Sequence, residues 1–352
     1  MRLAGRERRP RRRRRARRAR TATALGVVAL ALALGGCGGR QSIVAPRSPQ
    51  THLIALLWWW MLAASVVVFA GAVALLAIAW LRRHLPGLPV FGQREDIAGG
   101  MVIGFGIVVP LVVLVALFGA SDLYVIRFSE APAASTTKLT VDIEGHQWWW
   151  EVRYPGTGIV TANEVHIPVS TRVQVIATSA DVIHSLWVPR LARKIDMIPG
   201  YTNKILLQAE RTGSYLGQCS EFCGLQHAHM RITVVVEPSA SFHAWLASMA
   251  KPEPAPTTVA QREGERLFMS RGCGGCHDLR GTEARGTVGP DLTHLAGRST
   301  LAALTIPNTP AELAAWIHDP QAIKPGAHMP DLGLSGAEVT KLVAFLDGLR
   351  QR

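Results

Sequence analysis

Two apolar runs, Leu53 to Leu81 and Met101 to Ala120, contain no charged residue. Each reaches the roughly 20 residues that a helix needs to cross a bilayer. Hydrocarbon offers the backbone no water to bond, so such a run must satisfy its own N–H and C=O groups as a helix. Arg82, Arg83 and Arg94 lie in the short segment between the runs. Basic loops stay in the cytoplasm, which places the mature N-terminus and everything after Ala120 on the outer face. Trp58-Trp59-Trp60 reads as a membrane-interface belt. Gly104, Gly106 and Gly119 permit close helix contact. The hairpin, residues 53–120, has little interior of its own and is expected to pack on a larger membrane partner.

The formal net charge of +13 would suit a nucleic-acid binder, but it is local: residues 1–20 carry twelve Arg and one Glu. The remainder is near neutral, and no aromatic or Gly-rich recognition module accompanies the Arg run, so no nucleic-acid partner is expected. The basic block, the apolar stretch Leu25 to Leu34 and the small residues after it read as a secretory signal over residues 1–36. It ends Leu34-Gly-Gly-Cys37, which resembles a bacterial lipoprotein box with Cys37 lipidated. Residues 37–52 then form a short N-terminal segment.

Residues 121–238 read as an all-β unit. Val141, Ile143, Val165, Ile167, Val173 and Val175 alternate with mostly polar neighbours, the period of half-buried strands. Gly156, Gly158, Pro199-Gly200 and Gly213 punctuate them, and short strands with such turns suggest a sandwich or Greek-key barrel. Residues 239–258 read as a short helix, Ser239 to Met249, and a stiff linker, Lys251-Pro-Glu-Pro-Ala-Pro256. Residues 259–352 read as helical. Thr309-Pro310 opens one helix, and Ser335-x-x-Glu338 is a capping box before another, Val339 to Leu349.

The densest chemistry is Cys219-Ser-Glu221-Phe-Cys223-Gly-Leu-Gln-His227-Ala-His-Met230. Two thiols, an imidazole and a thioether are soft ligands that select copper(I), zinc or iron–sulfur clusters. His184, on a strand-like segment upstream, offers a second imidazole. The set exceeds what one tetrahedral ion needs. Two coppers bridged by two sulfurs, each capped by one His, would use it. A single zinc on Cys219, Cys223, His227 and His184 is the rival reading, and it leaves Met230 unexplained.

Cys273-Gly-Gly-Cys276-His277 is the pattern of covalent c-type haem attachment. Both thiols join the porphyrin, and His277 becomes the proximal iron ligand. Met329, about fifty residues on, is the candidate sixth ligand, with Pro330 stiffening its loop. Its alternative is an ordinary core Met, and His328 and Met269 are the next candidate ligands. The five cysteines are thus divided among lipid anchor, copper and haem, with none left for a disulfide.

Together Gly145-His-Gln-Trp148-Trp-Trp, His184-Ser-Leu-Trp187, Lys194-x-Asp196-x-Ile-Pro-Gly200 and Gln218-Cys-Ser-Glu-Phe-Cys-Gly224 resemble subunit II of the haem-copper cytochrome c oxidases, in the variety with a C-terminal cytochrome c domain. The resemblance implies a multidomain fold: a two-helix transmembrane hairpin, a cupredoxin-like all-β Greek-key domain, and an all-α class I cytochrome c domain. It also implies that Cys219 and Cys223 bridge two coppers, with His184 and His227 terminal. Met230 and the Glu221 carbonyl would be weak axial ligands. The Glu221 carboxylate would bind magnesium or manganese at the border with subunit I. Trp148 would be the ring through which electrons enter.

The function implied is electron input to a respiratory oxidase that reduces dioxygen to water and pumps protons in subunit I. Subunits I and III would be partners in a bacterial inner membrane. A soluble or membrane cytochrome c, or a quinol–cytochrome c reductase, would be the donor. His146 is expected to be a hydrogen-bonding partner, Trp149 a core ring and Trp150 a surface ring. The Trp-Thr pair that follows the acidic residue in many members is missing after Glu95-Asp96, which leaves both acids without an assigned role in proton uptake. Rival classes are a tethered electron carrier without an oxidase, and a zinc- or copper-delivery lipoprotein. A quinol oxidase subunit would lack Cys219 and Cys223.

Overall fold

The computed structural model describes residues 39–84, 95–130 and 136–349. The signal segment 1–36 and Cys37 lie outside them, as does Arg94. The first apolar run is a helix, Pro49–His84. Its 36 residues span about 54 Å, well beyond a hydrocarbon core of about 30 Å. Its outer end is tied to the globular part. Ser48 Oγ donates to Leu191 O (2.6 Å) and Thr51 Oγ1 to Arg190 O (2.9 Å). Arg47 forms backbone bonds with Arg190 and Glu210.

The second apolar run is a helical rod, Glu95–Ile103, Gly104–Val108, Val109–Ala120, Ser121–Ile126 and Arg127–Ser129, in which the second and fourth stretches widen to π geometry. Pro110 follows the first wide turn. It has no N–H, and its ring crowds the carbonyl four residues back, so the regular ladder is interrupted there. A Cβ placed at Gly104, Gly106 or Gly119 would meet nothing within 4 Å. The close helix contact expected of these glycines is therefore not made within the described residues, and both helices present apolar side chains outward.

The β domain has ten strands: β1 Leu139–His146, β2 Trp149–Tyr154, β3 Ile159–Ala162, β4 Glu164–Pro168, β5 Val173–Ser179, β6 His184–Trp187, β7 Ile195–Met197, β8 Asn203–Leu207, β9 Gly213–Cys219 and β10 Arg231–Glu237. They form two five-stranded sheets, ordered β3-β2-β1-β5-β8 and β4-β10-β9-β6-β7. The β1–β5 and β4–β10 pairs are parallel and the rest antiparallel. The six alternating residues Val141, Ile143, Val165, Ile167, Val173 and Val175 are all buried in one core.

The tryptophan run departs from expectation. Trp150 is fully buried, whereas Trp149 is half-buried and stacks on His146 with ring centroids 4.3 Å apart. Side chains alternate across a strand, and the inward set here is Trp150, Val152 and Tyr154. Three adjacent indoles carry no phase of their own. Val152 and Tyr154 set it, while Trp148, in the turn before β2, is buried beside Cys223.

The helix Ser239–Met249 leads into the linker. The linker is not a free spacer. Glu253 is buried against His294, Oε1 to Nδ1 at 2.9 Å, and Arg280 donates to Met249 O at 2.7 Å. The C-terminal domain is built on helices Val259–Ser270, Pro310–His318 and Gly336–Asp347. A two-stranded ribbon, Thr300–Leu301 with Ile306–Pro307, adds strand to a segment expected to be helical. Thr309 and Ser335 cap as the sequence indicates, and Thr258 with Gln261 forms a further capping box. The first and last helices cross at Gly264, where a Cβ would strike Lys341 O at 2.1 Å. Phe268 and Phe345 meet edge-to-face beside the crossing.

The alternation of β2 makes a direct test. Trp150→Ala should cost the β domain about 3–5 kcal/mol by loss of a core ring. Trp149→Ala should cost less than about 1.5 kcal/mol. Urea unfolding of both variants checks the order, and a larger loss for Trp149→Ala would reverse the phase of the strand.

Candidate metal centres

β9 ends at Cys219 and β10 begins at Arg231. The connecting loop is closed by Cys219 N donating to Met230 O at 2.9 Å. β6 pairs with β9 and starts at His184, so the upstream imidazole arrives beside the loop by sheet register. Room for it is made by Gly145, where a Cβ would lie 2.8 Å from the His184 ring.

Cys219 Sγ and Cys223 Sγ are 3.7 Å apart. His184 Nδ1 lies 3.9 Å from the first sulfur, and His227 Nδ1 lies 3.6 Å from the second. Met230 Sδ is 3.8 Å from Cys223 Sγ, and the Glu221 carbonyl is 3.2 Å from Cys219 Sγ. Ligands bound at about 2.0–2.3 Å in a tetrahedron stand roughly 3.3–3.8 Å from one another. These donors are spaced as ligands. His184, Cys219 and Cys223 are mutually close, while His227 joins through Cys223. The two imidazoles thus serve different sulfurs.

The charges of the cluster follow from the same distances. A hydrogen bond from Cys223 is the main effect that holds the Cys219 thiol far below its ordinary value, with His184 adding to it. The same neighbour and burial push Cys223 well up. Two adjacent sulfurs cannot both carry charge unless cations are present to balance it. Burial opposes charge on His184, but its hydrogen bonds with Asp181 and Cys219 outweigh that cost and raise the pKa. His184 Nε2 bonds Asp181 Oδ1 at 2.8 Å, which leaves Nδ1 facing the sulfurs. A carboxylate behind a ligating His fixes its ring orientation and tautomer. His229 is occupied with Gln226, Nδ1 to Oε1 at 2.7 Å, and takes no place in the set. His146 Nε2 is buried without a hydrogen-bond partner among the described residues.

The second site is a cavity of about 500 Å³ in the C-terminal domain, lined by Cys273, Cys276, His277 and Met329. This volume suits a cofactor. His277 Nδ1 donates to Pro290 O at 2.7 Å, which leaves Nε2 as the free ligand atom. Burial lowers the His277 pKa, which favours the neutral imidazole. At Gly289 a Cβ would come within 2.5 Å of the His277 ring. Arg298 Nε and Thr300 Oγ1, in residues that line the cavity, are buried without partners among the described residues. Donors orphaned in this way suit the carboxylates of a haem. Gln321 Nε2 holds the Met329 loop by its carbonyl at 2.9 Å. Met269 is not among the lining residues, and the His328 ring packs on Trp148 at 5.4 Å.

The cavity is not closed by its own domain. Trp148, Trp149, His146 and Asp181 of the β domain form part of its wall. Trp148 is 8% exposed, and its Nε1 donates to Cys223 O at 2.9 Å. Lys324 crosses between the domains; burial lowers its pKa, while the carbonyls that accept from its Nζ favour the charged form.

Residues 157–237 match the family described as cytochrome c oxidase subunit II, periplasmic domain, and residues 261–350 match cytochrome c. Cytochrome c oxidase subunit 2 of Alkalihalophilus pseudofirmus is 32% identical over 331 residues, which cover 91% of this chain and 95% of that protein. The chain belongs to the cytochrome c oxidase subunit II family. The Bacillus subtilis subunit 2 is 28% identical over 260 residues, 69% of this chain and 73% of that one. The solved periplasmic domain of subunit II from Bradyrhizobium japonicum is 34% identical, covers 34% of this chain and 96% of that one, and has a TM-score of 0.32.

The subunit is therefore part of a cytochrome c oxidase, an oxidoreductase complex, with subunit I as partner. Its two domain matches imply copper at the first site and haem at the second. Its family, with the two long apolar helices among the described residues, makes it a membrane protein with an extracellular domain. Several site roles lay beyond sequence reasoning, that of Gly145 included although its motif was read. Gly145, Gly289, Arg298 and Lys324 act through contacts between distant segments. Asp181 alone left a local trace, three residues before His184.

Replacing one bridging candidate is decisive for the first site. Cys219→Ser should abolish any two-copper paramagnetic signal, because a hydroxyl of much higher pKa cannot replace a thiolate between two ions. An unaltered signal in the purified variant would remove Cys219 from the ligand set.

Proposed function

We propose that this chain is the electron-input subunit of a respiratory terminal oxidase, taking electrons from an external donor by way of haem c and a binuclear copper centre to subunit I. Dioxygen is reduced to water there, with protons pumped. When bound, the haem and the two coppers supply one-electron carriers that need little rearrangement. Every other task falls to the residues of the chain.

Cys219, Cys223, His184 and His227 would hold the copper, the two thiolates shared between the ions. Met230 and the Glu221 carbonyl, close to the sulfurs, would be the weaker donors. The Glu221 residue is exposed, which suits a carboxylate that binds a magnesium or manganese ion shared with subunit I. Phe222 beside it is 76% exposed, an apolar residue consistent with a protein neighbour. Cys273 and Cys276 would attach the haem, and His277 and Met329 would be its iron ligands.

The observation that carries the reading is the position of Trp148. Its ring forms part of the haem cavity wall, and its indole N–H bonds the carbonyl of Cys223. One residue touches both sites. Trp148 therefore provides the short route between them, excluding water on one side and abutting the ligand loop on the other. The further parts of the reading are a signal over residues 1–36, lipidation at Cys37, and a bacterial inner membrane with both domains on its outer face. Subunit III and a cytochrome c or quinol–cytochrome c reductase donor complete the assembly.

Two substitutions test the assignment. Met329→Ala should leave haem attached, open its sixth position and lower its potential, since the thioether favours ferrous iron. A low-spin spectrum with unshifted potential would point to another ligand. In Trp148→Ala, stopped-flow absorbance should show haem c reduced at the normal rate while copper reduction lags. Equal copper rates in variant and wild type would mean that electrons reach copper by a route that avoids Trp148.

A further inference from the structure

The loop that carries Met329 faces the loop that carries the copper-site residues. Lys324 opens this segment at the end of the short helix Pro320–Ile323, and it is only 3% exposed. Its Nζ donates to Trp148 O at 2.8 Å and His229 O at 3.0 Å in the β domain, and to Ala302 O at 3.1 Å in the haem domain. Three carbonyls match the three protons of an ammonium. Among the described residues no carboxylate forms an ion pair with it. A buried ammonium is costly unless its donors are satisfied, and two of its three acceptors exist only while the domains are docked.

Neighbouring contacts fix the same approach. Gln226 Nε2 donates to Pro325 O at 2.6 Å. Gly326, at φ +83°, lies so close to Leu225 that a Cβ would meet its Cδ2 at 2.5 Å. Apolar contact of this kind has no direction, whereas a three-carbonyl socket admits one orientation. The compact ammonium of lysine fits such a socket, and the planar fork of arginine does not.

We propose that Lys324 is a positioning residue: it latches the Met329 loop onto the Trp148 face and thereby fixes the separation of the haem and copper sites. This rests on the reading that the haem site feeds the copper site. It concerns neither ligation nor the external donor, so the properties of each centre taken alone are untouched.

The test uses Lys324→Met in the full-length subunit within the assembled oxidase. Methionine keeps most of the length of the side chain and removes all three donors. Amide hydrogen exchange over residues 224–230 and 322–329 should accelerate while exchange elsewhere stays the same. Haem-to-copper transfer should slow about tenfold or more, the effect of losing charged hydrogen bonds from the docked state. Reduction of haem c by an external reductant, both optical spectra and both potentials should be unchanged. An unchanged transfer rate, with or without faster exchange, overturns the latch while leaving the function intact. Absence of haem-to-copper transfer in the wild type overturns both. Where Lys324→Met fails to load its metals, Lys324→Ala admits water to the three carbonyls and supplies the same measurements. Failure of both variants to load would make Lys324 a folding residue and end the positioning assignment.

Discussion

Two buried sulfurs held 3.7 Å apart set the terms for the rest of the molecule. The arrangement is electrostatically incomplete by itself. One thiol is driven toward ionisation, and its neighbour is driven away from it by the same contact. Holding both sulfurs against that conflict requires a scaffold formed before any ion arrives. The sheet provides it: β9 delivers Cys219, β6 delivers His184, and the Cys219–Met230 backbone bond closes the loop. Gly145 and Gly217 keep the approach open. A Cβ at Gly217 would meet Ile232 and the Trp187 carbonyl inside 3 Å. The small residues are as much a part of the site as the ligands.

The same scaffold also completes its neighbour. The haem domain is short, and its cavity borrows a wall from the β domain. Contacts across the boundary are polar and specific: Ser299 donates to the Glu164 carboxylate, Gln226 to Pro325, and Lys324 to two carbonyls. Domain boundaries within a chain are often loose. Here the linker is pinned at Glu253 and the face is socketed at Lys324, so the two units share one surface around Trp148.

Much of this was legible in the sequence for clear physical reasons. The apolar runs had one backbone solution in hydrocarbon. The valines and isoleucines of β1, β4 and β5 alternated with the pitch of a strand, and all six proved to be core. The ligand loop was a cluster in sequence as well as in space. What stayed hidden depended on remote partners. Three adjacent tryptophans had no phase until Val152 and Tyr154 set it. The Pro-rich linker read as a stiff spacer, and its anchor stayed out of view because His294, which buries Glu253, lies some forty residues on. Lys324 carried no signal in the sequence, since its three acceptors come from three separate segments. Main-chain acceptors leave no mark on composition or spacing.

The joint between the first helix and the β domain has a mechanical meaning. Ser48 and Thr51 grip the carbonyls of Leu191 and Arg190 at the very start of the helix, and Arg47 bonds the same corner through its backbone. A swivel would need a run of unbonded residues, and this junction has none. The helix is accordingly a mast with a rigid fitting at its head. Tilt imposed below, by bilayer thickness or by a neighbouring subunit, is carried into the orientation of the metal loop above it. The height of that loop over the membrane is then a property of helix length, held to the same register as the side chains that line the bilayer.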